Sequence, residues 1–281
     1  MKEKSNKIGV LTFHRANNLG AALQASALVK FINRDIASCE LIDFVPNSNC
    51  GGRIMRKYPL LRIVKNNLLI IKNLILQNKE HKFNEFRKNE MTISPKTYYG
   101  DNVMLKVSNK YTVLVSGSDQ ILNSTLSGTS KSYYLHFDDN AKKISYASSF
   151  GRTDITQTET DLIKSEMSKF HAISVRESSA GNIIKREIDK DSILVVDPVF
   201  LLEKDEWFHT GNTKLKLPEK YIFVYSMEVS KNLELLVEKL QTRTTLPVIV
   251  VRGGGKPGAI LGTEDNKCGP REFIRYIANA E

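Results

Sequence analysis

The sequence predicts an α/β protein in which helices cover a parallel β-sheet. Short apolar runs, of which residues 111–115 (YTVLV) are the clearest, alternate along the chain with segments of helical periodicity. An unbroken apolar run of this length is typical of a strand buried on both faces, as in parallel sheets. Several runs end in small or polar residues, and ligands of parallel sheets lie beyond the carboxyl ends of the strands. The pattern therefore predicts both a fold class and the edge that would carry a site.

The composition is that of an ordinary globular protein. The 281 residues, 41% hydrophobic and 26% charged, allow one large domain or two modest ones. The N-terminus lacks the apolar core of a signal peptide, and no window of ~18 apolar residues predicts a membrane-spanning helix. The three cysteines, Cys39, Cys50 and Cys268, have no metal-ligand spacing and favour a reduced, cytoplasmic protein.

A net charge of +10 predicts acidic partners. Much of the positive charge lies in residues 53–96, where no nucleic-acid-binding motif accompanies it, so we expect an anionic ligand or a membrane surface and no nucleic acid. Within this basic insertion, residues 60–76 combine high apolar content with scattered lysines. They form either a helix packed on the domain or an in-plane contact with the inner face of a membrane.

The chain opens as a βαβ unit, with strands at residues 8–13 and 41–44 around an amphipathic helix. Asn18 and Gly20 lie at the strand-to-helix turn, where backbone N–H groups favour an anion. Only Gly9 and Gly20 are available for a dinucleotide fingerprint, so neither NAD nor another cofactor is predicted.

Strands follow at residues 111–115, 143–151, 172–175 and 193–196, with helices between them. The polar stretch 207–220 predicts a boundary between a domain at 1–210 and a partial one at 218–281. The second domain shows only two strands, at 221–226 and 247–251, and a helix from residue 269.

Polar residues follow several of the predicted strands and would converge on one edge of the sheet. In the first domain they are His14, Arg15, Asn18, Ser116, Gly117, Ser118, Asp119, Ser148, Ser149, Arg176, Glu177 and Ser178. In the second domain Arg252 precedes a glycine-rich loop. For residues 116–119 the alternative is a tight turn after a core strand.

Two of these residues have specific chemical potential. The Arg176 guanidinium suits bidentate recognition of phosphate or carboxylate, the alternative being an ion pair with Glu177 or another acid. His14 is a candidate acid or base, the alternative being a local hydrogen bond. No two histidines have metal-binding spacing, and Ser116 and Ser118 lack a nucleophile elbow, so neither a metal site nor a serine hydrolase is predicted.

Six motifs, in order over about residues 8–205, resemble the polysaccharide pyruvyl transferase family. They are GVLTFHRANNLGAALQASAL, VLVSGSDQILN, YYLHF, KKISYASSFG, AISVRESSAG and VVDPVFLL. The resemblance implies two facing Rossmann-like halves, as in GT-B glycosyltransferases. It also implies transfer of pyruvate from phosphoenolpyruvate to a pair of sugar hydroxyls as a ketal, on a saccharide or lipid-linked saccharide of a surface polysaccharide.

The resemblance maps the family's arginine onto Arg176, its Asn-x-Gly turn onto residues 18–20 and its small-residue and acidic loop onto residues 116–119. Phosphoenolpyruvate carries a phosphate and a carboxylate, which arginine and helix N-termini bind. Ketal formation needs an acid and a base, for which His14, Asp119 and Glu177 stay open.

Family members continue past a helix like residues 269–281 into a strand that ends in a Ser-x-His motif. This sequence ends before that strand, so we expect a truncated second half and weak or no activity. The alternatives are a GT-B glycosyltransferase or nucleotide-sugar enzyme, and an inactive remnant that binds an anion.

Overall fold

The computed structural model describes residues 7–46, 67–211, 214–228, 230–253 and 260–281, and for residues 67–77 it describes the backbone alone. The chain divides into two compact units. Unit 1 comprises Met1–Pro59 and Arg87–Leu202, and unit 2 comprises Leu60–Phe86 and Glu203–Glu281. Each unit contains its own parallel sheet.

The strands described in unit 1 are β1 (Ile8–Leu11), β2 (Cys39–Leu41), β3 (Phe44–Val45), β4 (Tyr98–Tyr99), β5 (Val113–Asp119), β6 (Lys142–Ser148), β7 (Ala172–Val175) and β8 (Ile193–Leu194). Six of them form the main sheet in the order β2-β1-β5-β6-β7-β8, with every neighbouring pair parallel. The other two, β3 and β4, pair in parallel beside it. The predicted parallel α/β class is therefore confirmed.

Helices connect these strands and cover the sheet. They are α1 (Leu19–Asp35), α3 (Asp101–Met104), α4 (Ser124–Ser127), α5 (Gln157–Ser165) and α6 (Ser178–Ile188). Another helix, α2 (Asn67–Glu90), belongs to unit 2 up to Phe86 and to unit 1 from Arg87. Asn18 caps α1 by accepting a hydrogen bond from the backbone N–H of Ala21 at 2.9 Å. Leu23 and Leu28 lie on the buried side of α1, which packs against β2 and β5.

The strand β5 is longer than the sequence predicts, because residues 116–119 continue it instead of forming a loop. Gly117 makes this possible: a Cβ there would lie 2.4 Å from the carbonyl oxygen of Tyr146 on β6. Ser116 is fully buried, and its hydroxyl donates to the carbonyl of Tyr133 at 2.5 Å. Small and hydroxyl-bearing residues therefore extend this strand through the core, where Ser116 satisfies a carbonyl that water does not reach.

Unit 2 contains the strands β9 (Ile222–Ser226), β10 (Val248–Arg252) and β11 (Thr263–Glu264), in the order β11-β10-β9 and all parallel. Its other helices are α7 (Lys204–Thr210), α8 (Lys231–Thr244) and α9 (Pro270–Asn279). The α2 residue Lys82 forms an ion pair with Glu272 on α9, with Nζ and Oε1 2.7 Å apart.

Several element predictions need correction. The predicted strand at 41–44 is two strands, β2 and β3, and the strand at 193–196 is only two residues long. The sequence predicts two strands in the second half, but β11 adds a third. Its two residues carry no apolar run that would reveal a strand.

Of the stretch at residues 60–76, predicted to pack as a helix or to contact a membrane, residues 60–66 lie outside the described residues. The backbone of residues 67–76 belongs to α2, which continues to Glu90. Within the described part of the chain, no helix has the length and apolar character needed to cross a membrane.

Candidate functional site

The strand order of unit 1 places a topological switch point between β1 and β5. From β1 the chain passes through α1 to β2 on one side, and β5 occupies the other side. In open α/β sheets, ligands bind beyond the carboxyl ends of the strands at such a point. The candidate site is therefore the carboxyl edge of this sheet, where β1, β5, β6 and β7 end.

Asp43, between β2 and β3, binds two side chains of the loop that follows β1 and one from Thr97. His14 Nε2 lies 3.0 Å from Asp43 Oδ1, while Arg15 donates from Nε to Oδ1 and from Nη2 to Oδ2, both at 2.6 Å. Thr97 donates its hydroxyl to Oδ2, also at 2.6 Å. Burial alone would raise the pKa of Asp43, but these hydrogen bonds hold it well below its usual range.

Both ring nitrogens of His14 face acceptors of the protein itself. Nδ1 lies 3.2 Å from the Thr12 carbonyl oxygen, Nε2 faces Asp43, and the residue is 1% exposed. This is the local hydrogen bonding that the sequence left open as an alternative. The geometry favours a structural role for His14, and its catalytic role stays a prediction.

Arg87 of α2 fixes the loop between β1 and α1. Its Nε donates to the carbonyl of His14 at 3.0 Å, and its Nη2 donates to the carbonyls of Arg15 (2.8 Å) and Ala16 (3.3 Å). Nη2 also donates to the Asn17 side chain. One guanidinium therefore serves three successive carbonyls of the loop that leads to the Asn18 cap.

A second cluster lies at the ends of β5, β7 and β8. Arg176, directly after β7, donates from Nη1 to Asp197 Oδ2 at 2.9 Å. The alternative of an ion pair with an acid is therefore realised, with Asp197 instead of Glu177. Asp119, the last residue of β5, interacts electrostatically with both of them. The structure thus brings together Asp119, a predicted acid or base, and Arg176, the predicted anion-binding residue, which we also expect to act in catalysis.

The Asp119 carboxyl differs from an ordinary surface carboxyl. Burial raises its pKa above the usual value and Asp197 adds to the shift, whereas the Gln120 backbone N–H and Arg176 oppose it. Its backbone has φ of 76°, in a region that non-glycine residues rarely adopt. Ala147, near the end of neighbouring β6, has φ of 51° beside an irregularity in the β6–β7 register. Unusual backbone of this kind concentrates at functional sites.

Glu177 holds the end of β6 in place. Its Oε1 accepts hydrogen bonds from the Ser149 hydroxyl (2.9 Å) and from the backbone N–H groups of Phe150 (3.0 Å) and Gly151 (3.3 Å). Ser148 donates its hydroxyl to the carbonyl of Ser116 at 2.9 Å. These residues lie at the predicted edge, but their polar atoms already serve protein partners.

The remaining predicted site residues lie in varied settings. Asn18 and Gly20 are exposed at the start of α1, and Ser178 begins α6. Ser118 is fully buried, and its hydroxyl has no partner among the described residues. Arg252 lies in unit 2 and pairs with Glu264, with Nε 3.0 Å from Oε1. The substrate-binding roles assigned to these residues remain predictions.

Sequence analysis missed Asp43, Arg87, Thr97 and Asp197. Two of them carried a signal, because Asp43 and Asp197 each follow an apolar run as Asp119 does. Arg87 carried none, since it is one of many basic residues in an amphipathic helix.

A parallel sheet with its polar side chains gathered at the carboxyl edge defines a ligand-binding α/β protein. The family described as polysaccharide pyruvyl transferase matches residues 18–281, nearly the whole sequence. The chain therefore belongs to the polysaccharide pyruvyl transferase family, as its motifs indicated.

Other comparisons add distant similarities only. An S. aureus MnaA–UDP co-structure shares 12% identity at a TM-score of 0.42, over 97% of this chain and 71% of that chain. UDP-N-acetylglucosamine 2-epimerase from Rickettsia bellii shares 10% identity at a TM-score of 0.39, over 99% and 73%. No curated protein matches the sequence. The facing GT-B arrangement of the two halves stays a prediction.

Proposed function

We propose that this protein transfers the pyruvyl group of phosphoenolpyruvate to two hydroxyls of a saccharide as a ketal, with Asp119 as the general acid. The observation that carries the proposal is the match to the polysaccharide pyruvyl transferase family over residues 18–281. The role of Asp119 is supported by its place at a strand end beside Arg176 and by its raised pKa. A carboxyl group that keeps its proton nearer neutrality is suited to donate it. His14 is less suited, because both of its ring nitrogens face protein acceptors.

The proposed reaction needs one proton donor and a binding site for the anionic donor, and both are available at this edge of the sheet. Asp119 protonates the methylene carbon of phosphoenolpyruvate, and the positive charge that develops at the neighbouring carbon is attacked by one sugar hydroxyl. The second hydroxyl then displaces inorganic phosphate from the same carbon. Of the two hydroxyl protons, one restores Asp119 and the other leaves with phosphate. Arg176 and the N-terminus of α1 are suited to bind the phosphate and carboxylate of the donor.

A direct assay tests this function. The chain is incubated with phosphoenolpyruvate and either methyl β-D-glucopyranoside or methyl β-D-galactopyranoside, both of which have free hydroxyls at O4 and O6. We expect phosphate release that depends on the glycoside, together with a new ketal methyl signal in the proton NMR spectrum. Phosphoenolpyruvate that stays intact, combined with binding of UDP in a calorimetric titration, would favour the nucleotide-sugar alternative.

Substitution of Arg176 tests the donor site. Arg176→Ala should weaken phosphoenolpyruvate binding by ~1.5–3 kcal/mol, the range for hydrogen bonds to charged groups. Arg176→Lys should restore only part of this, because the two-pronged geometry is lost. Calorimetry measures both, and an unchanged affinity in folded Arg176→Ala contradicts the assignment.

We place the reaction in the cytoplasm, with the basic residues 53–96 bringing the protein to the inner face of a membrane that holds lipid-linked acceptors. Co-sedimentation with vesicles tests this, since the protein should bind vesicles with anionic lipid and not neutral ones. Equal binding to both contradicts the electrostatic contact.

A further inference from the structure

An exposed tyrosine lies beside the β1 loop. Tyr98 and Tyr99 form β4, whose partners on β3 are Phe44 and Val45. Tyr98 is 2% exposed and accepts a hydrogen bond from Lys110, whereas Tyr99 is 63% exposed. Because successive side chains of a strand point to opposite faces, Tyr99 presents its ring away from the core. Its hydroxyl has no hydrogen bond to any residue that the structure describes.

Arg15 is fixed next to this ring with one end of its guanidinium unused. Nε and Nη2 are bonded to Asp43, and Nη2 also donates to Thr97 Oγ1 at 3.3 Å. Nη1 makes no hydrogen bond within the described part of the chain, and 34% of the side chain is exposed. Thr97, to which Nη2 donates, precedes Tyr99 by two residues, and residues two apart in an extended segment share a face, so the phenol lies beside the guanidinium. Tyr99 also adds to the raised pKa of Arg15, of which the hydrogen bond to Asp43 is the main cause.

The charge of this surface favours a neutral ligand over an anion. Asp43 compensates the charge of Arg15, so the guanidinium offers directed N–H groups without a net positive field. An exposed aromatic face suits the C–H face of a pyranose ring, and a fixed N–H donor suits a sugar hydroxyl. A side chain that is already held in place also loses little entropy when it binds.

We propose that Tyr99 and Arg15 form a subsite that binds a pyranose ring of the saccharide acceptor, with Thr97 and Asp43 holding the guanidinium in position. Tyr99 supplies the stacking surface, and Arg15 Nη1 donates to a ring hydroxyl. Arg15 precedes the Asn18 cap of α1 by three residues, so the subsite adjoins the carboxyl edge of the sheet. This inference rests on the proposed function, because that function supplies the saccharide.

Two tyrosine variants and a matched control test the subsite by kinetics. Tyr99→Ala should raise the KM for methyl β-D-galactopyranoside or methyl β-D-glucopyranoside about tenfold and leave the KM for phosphoenolpyruvate unchanged. Tyr99→Phe keeps the ring and should stay within about threefold of the original KM. Phe200, 75% exposed in the same unit, provides the control Phe200→Ala, which should change neither constant. Equal acceptor KM values for Tyr99→Ala and Phe200→Ala overturn the subsite.

A binding measurement separates failure of the subsite from failure of the proposed function. Saturation-transfer NMR with the same two glycosides should show contact with the original chain and a loss of most of that signal in Tyr99→Ala. A chain that forms no ketal but shows this pattern retains the subsite and contradicts the proposed function. Glycosides that show no saturation transfer, or that bind Tyr99→Ala equally well, contradict the subsite. Thermal unfolding confirms that each variant is folded.

Discussion

Asp43 and Asp119 are two aspartates at strand ends of unit 1, and their surroundings move their pKa values in opposite directions. Asp43 receives hydrogen bonds from His14, Arg15 and Thr97, which outweigh its burial and lower its pKa. Asp119 is half-buried with one hydrogen bond to its carboxylate among the described residues, from the Gln120 backbone at 2.8 Å, and desolvation raises its pKa.

The difference shows how one residue type serves two purposes on a single sheet edge. A carboxylate with several donors is a stable anion that organises a loop, whereas a buried carboxyl with few donors retains its proton and suits acid catalysis. The contrast identifies Asp119 as the catalytic candidate and Asp43 as the anchor. Each substitution should therefore damage a different property.

The largest expected effect is on turnover in Asp119→Asn. Loss of a general acid should lower kcat by a factor of about 10² to 10⁴. Stability should rise slightly at any pH where the Asp119 carboxyl is ionised, because asparagine carries no charge to desolvate there. Steady-state phosphate release and urea unfolding measure the two properties. Normal turnover would return the role of acid to His14 or Glu177.

Asp43→Asn should instead lower the free energy of unfolding, by about 3 kcal/mol, because His14 and Arg15 lose a buried charged partner. Urea unfolding measures the free energy of unfolding of Asp43→Asn and of Asp119→Asn. If both variants lose a comparable amount of stability, Asp43 is not the special anchor of the loop.

The pH dependence of stability provides a second test of the difference between Asp43 and Asp119. Because the pKa of Asp43 is lower in the folded state than in the unfolded state, its ionised carboxylate stabilises the fold. This contribution is fully present above the unfolded-state pKa of about 4 and is lost as the pH falls toward the folded-state pKa. The raised pKa of Asp119 acts in the opposite sense, so stability falls as the pH rises from about 4 through the folded value. The difference in unfolding free energy between the original chain and Asp43→Asn should therefore rise with pH. The corresponding difference for Asp119→Asn should fall with pH.

A smaller effect is expected at Arg87. Arg87→Lys should lower the free energy of unfolding by about 1–2 kcal/mol, because an ammonium group cannot reproduce the fork that serves three carbonyls. Lys88 is exposed, and Lys88→Ala should cost less than about 0.5 kcal/mol. Urea unfolding compares them, and equal losses would show that the loop does not depend on the guanidinium.

The smallest effect is expected at the cap of α1. Asn18→Ala should cost about 1 kcal/mol, since the Ala21 N–H loses its acceptor. Asn18→Asp keeps an acceptor and should retain the stability. If both variants lose the same amount, the cap does not account for the contribution of Asn18.

Much of the sheet and part of its site were accessible from the sequence. Apolar runs revealed the strands around residues 8, 113, 143 and 172, and the polar residues that follow them lie at the predicted edge. Burial by long-range packing was not visible, so residues 116–118 were expected in a loop and lie inside β5. Serine and glycine side chains are small enough for either a loop or a buried strand, so the residue types did not decide between the two.

Partnerships between distant residues were also not predictable. The sequence cannot show that Asp43 meets His14 and Arg15, or that Arg176 meets Asp197, because neither spacing nor periodicity encodes these pairs. The sequence therefore left His14 open between an acid or base and a local hydrogen bond, and the structure shows the hydrogen bonds.

The hydrogen bonds of Glu177 bear on how this surface can diversify. Its carboxylate, after β7, secures the backbone that follows β6, as the Arg87 guanidinium secures the loop after β1. Two loops at this edge are thus each held by a residue from another segment. Exchange of the segment that contains Glu177 would also remove the hydrogen bonds that fix the backbone after β6. When a loop is grafted from a relative, the segment that hydrogen-bonds to it should therefore be grafted as well. For this edge the pairs are Glu177 with the backbone after β6, and Arg87 with the loop after β1.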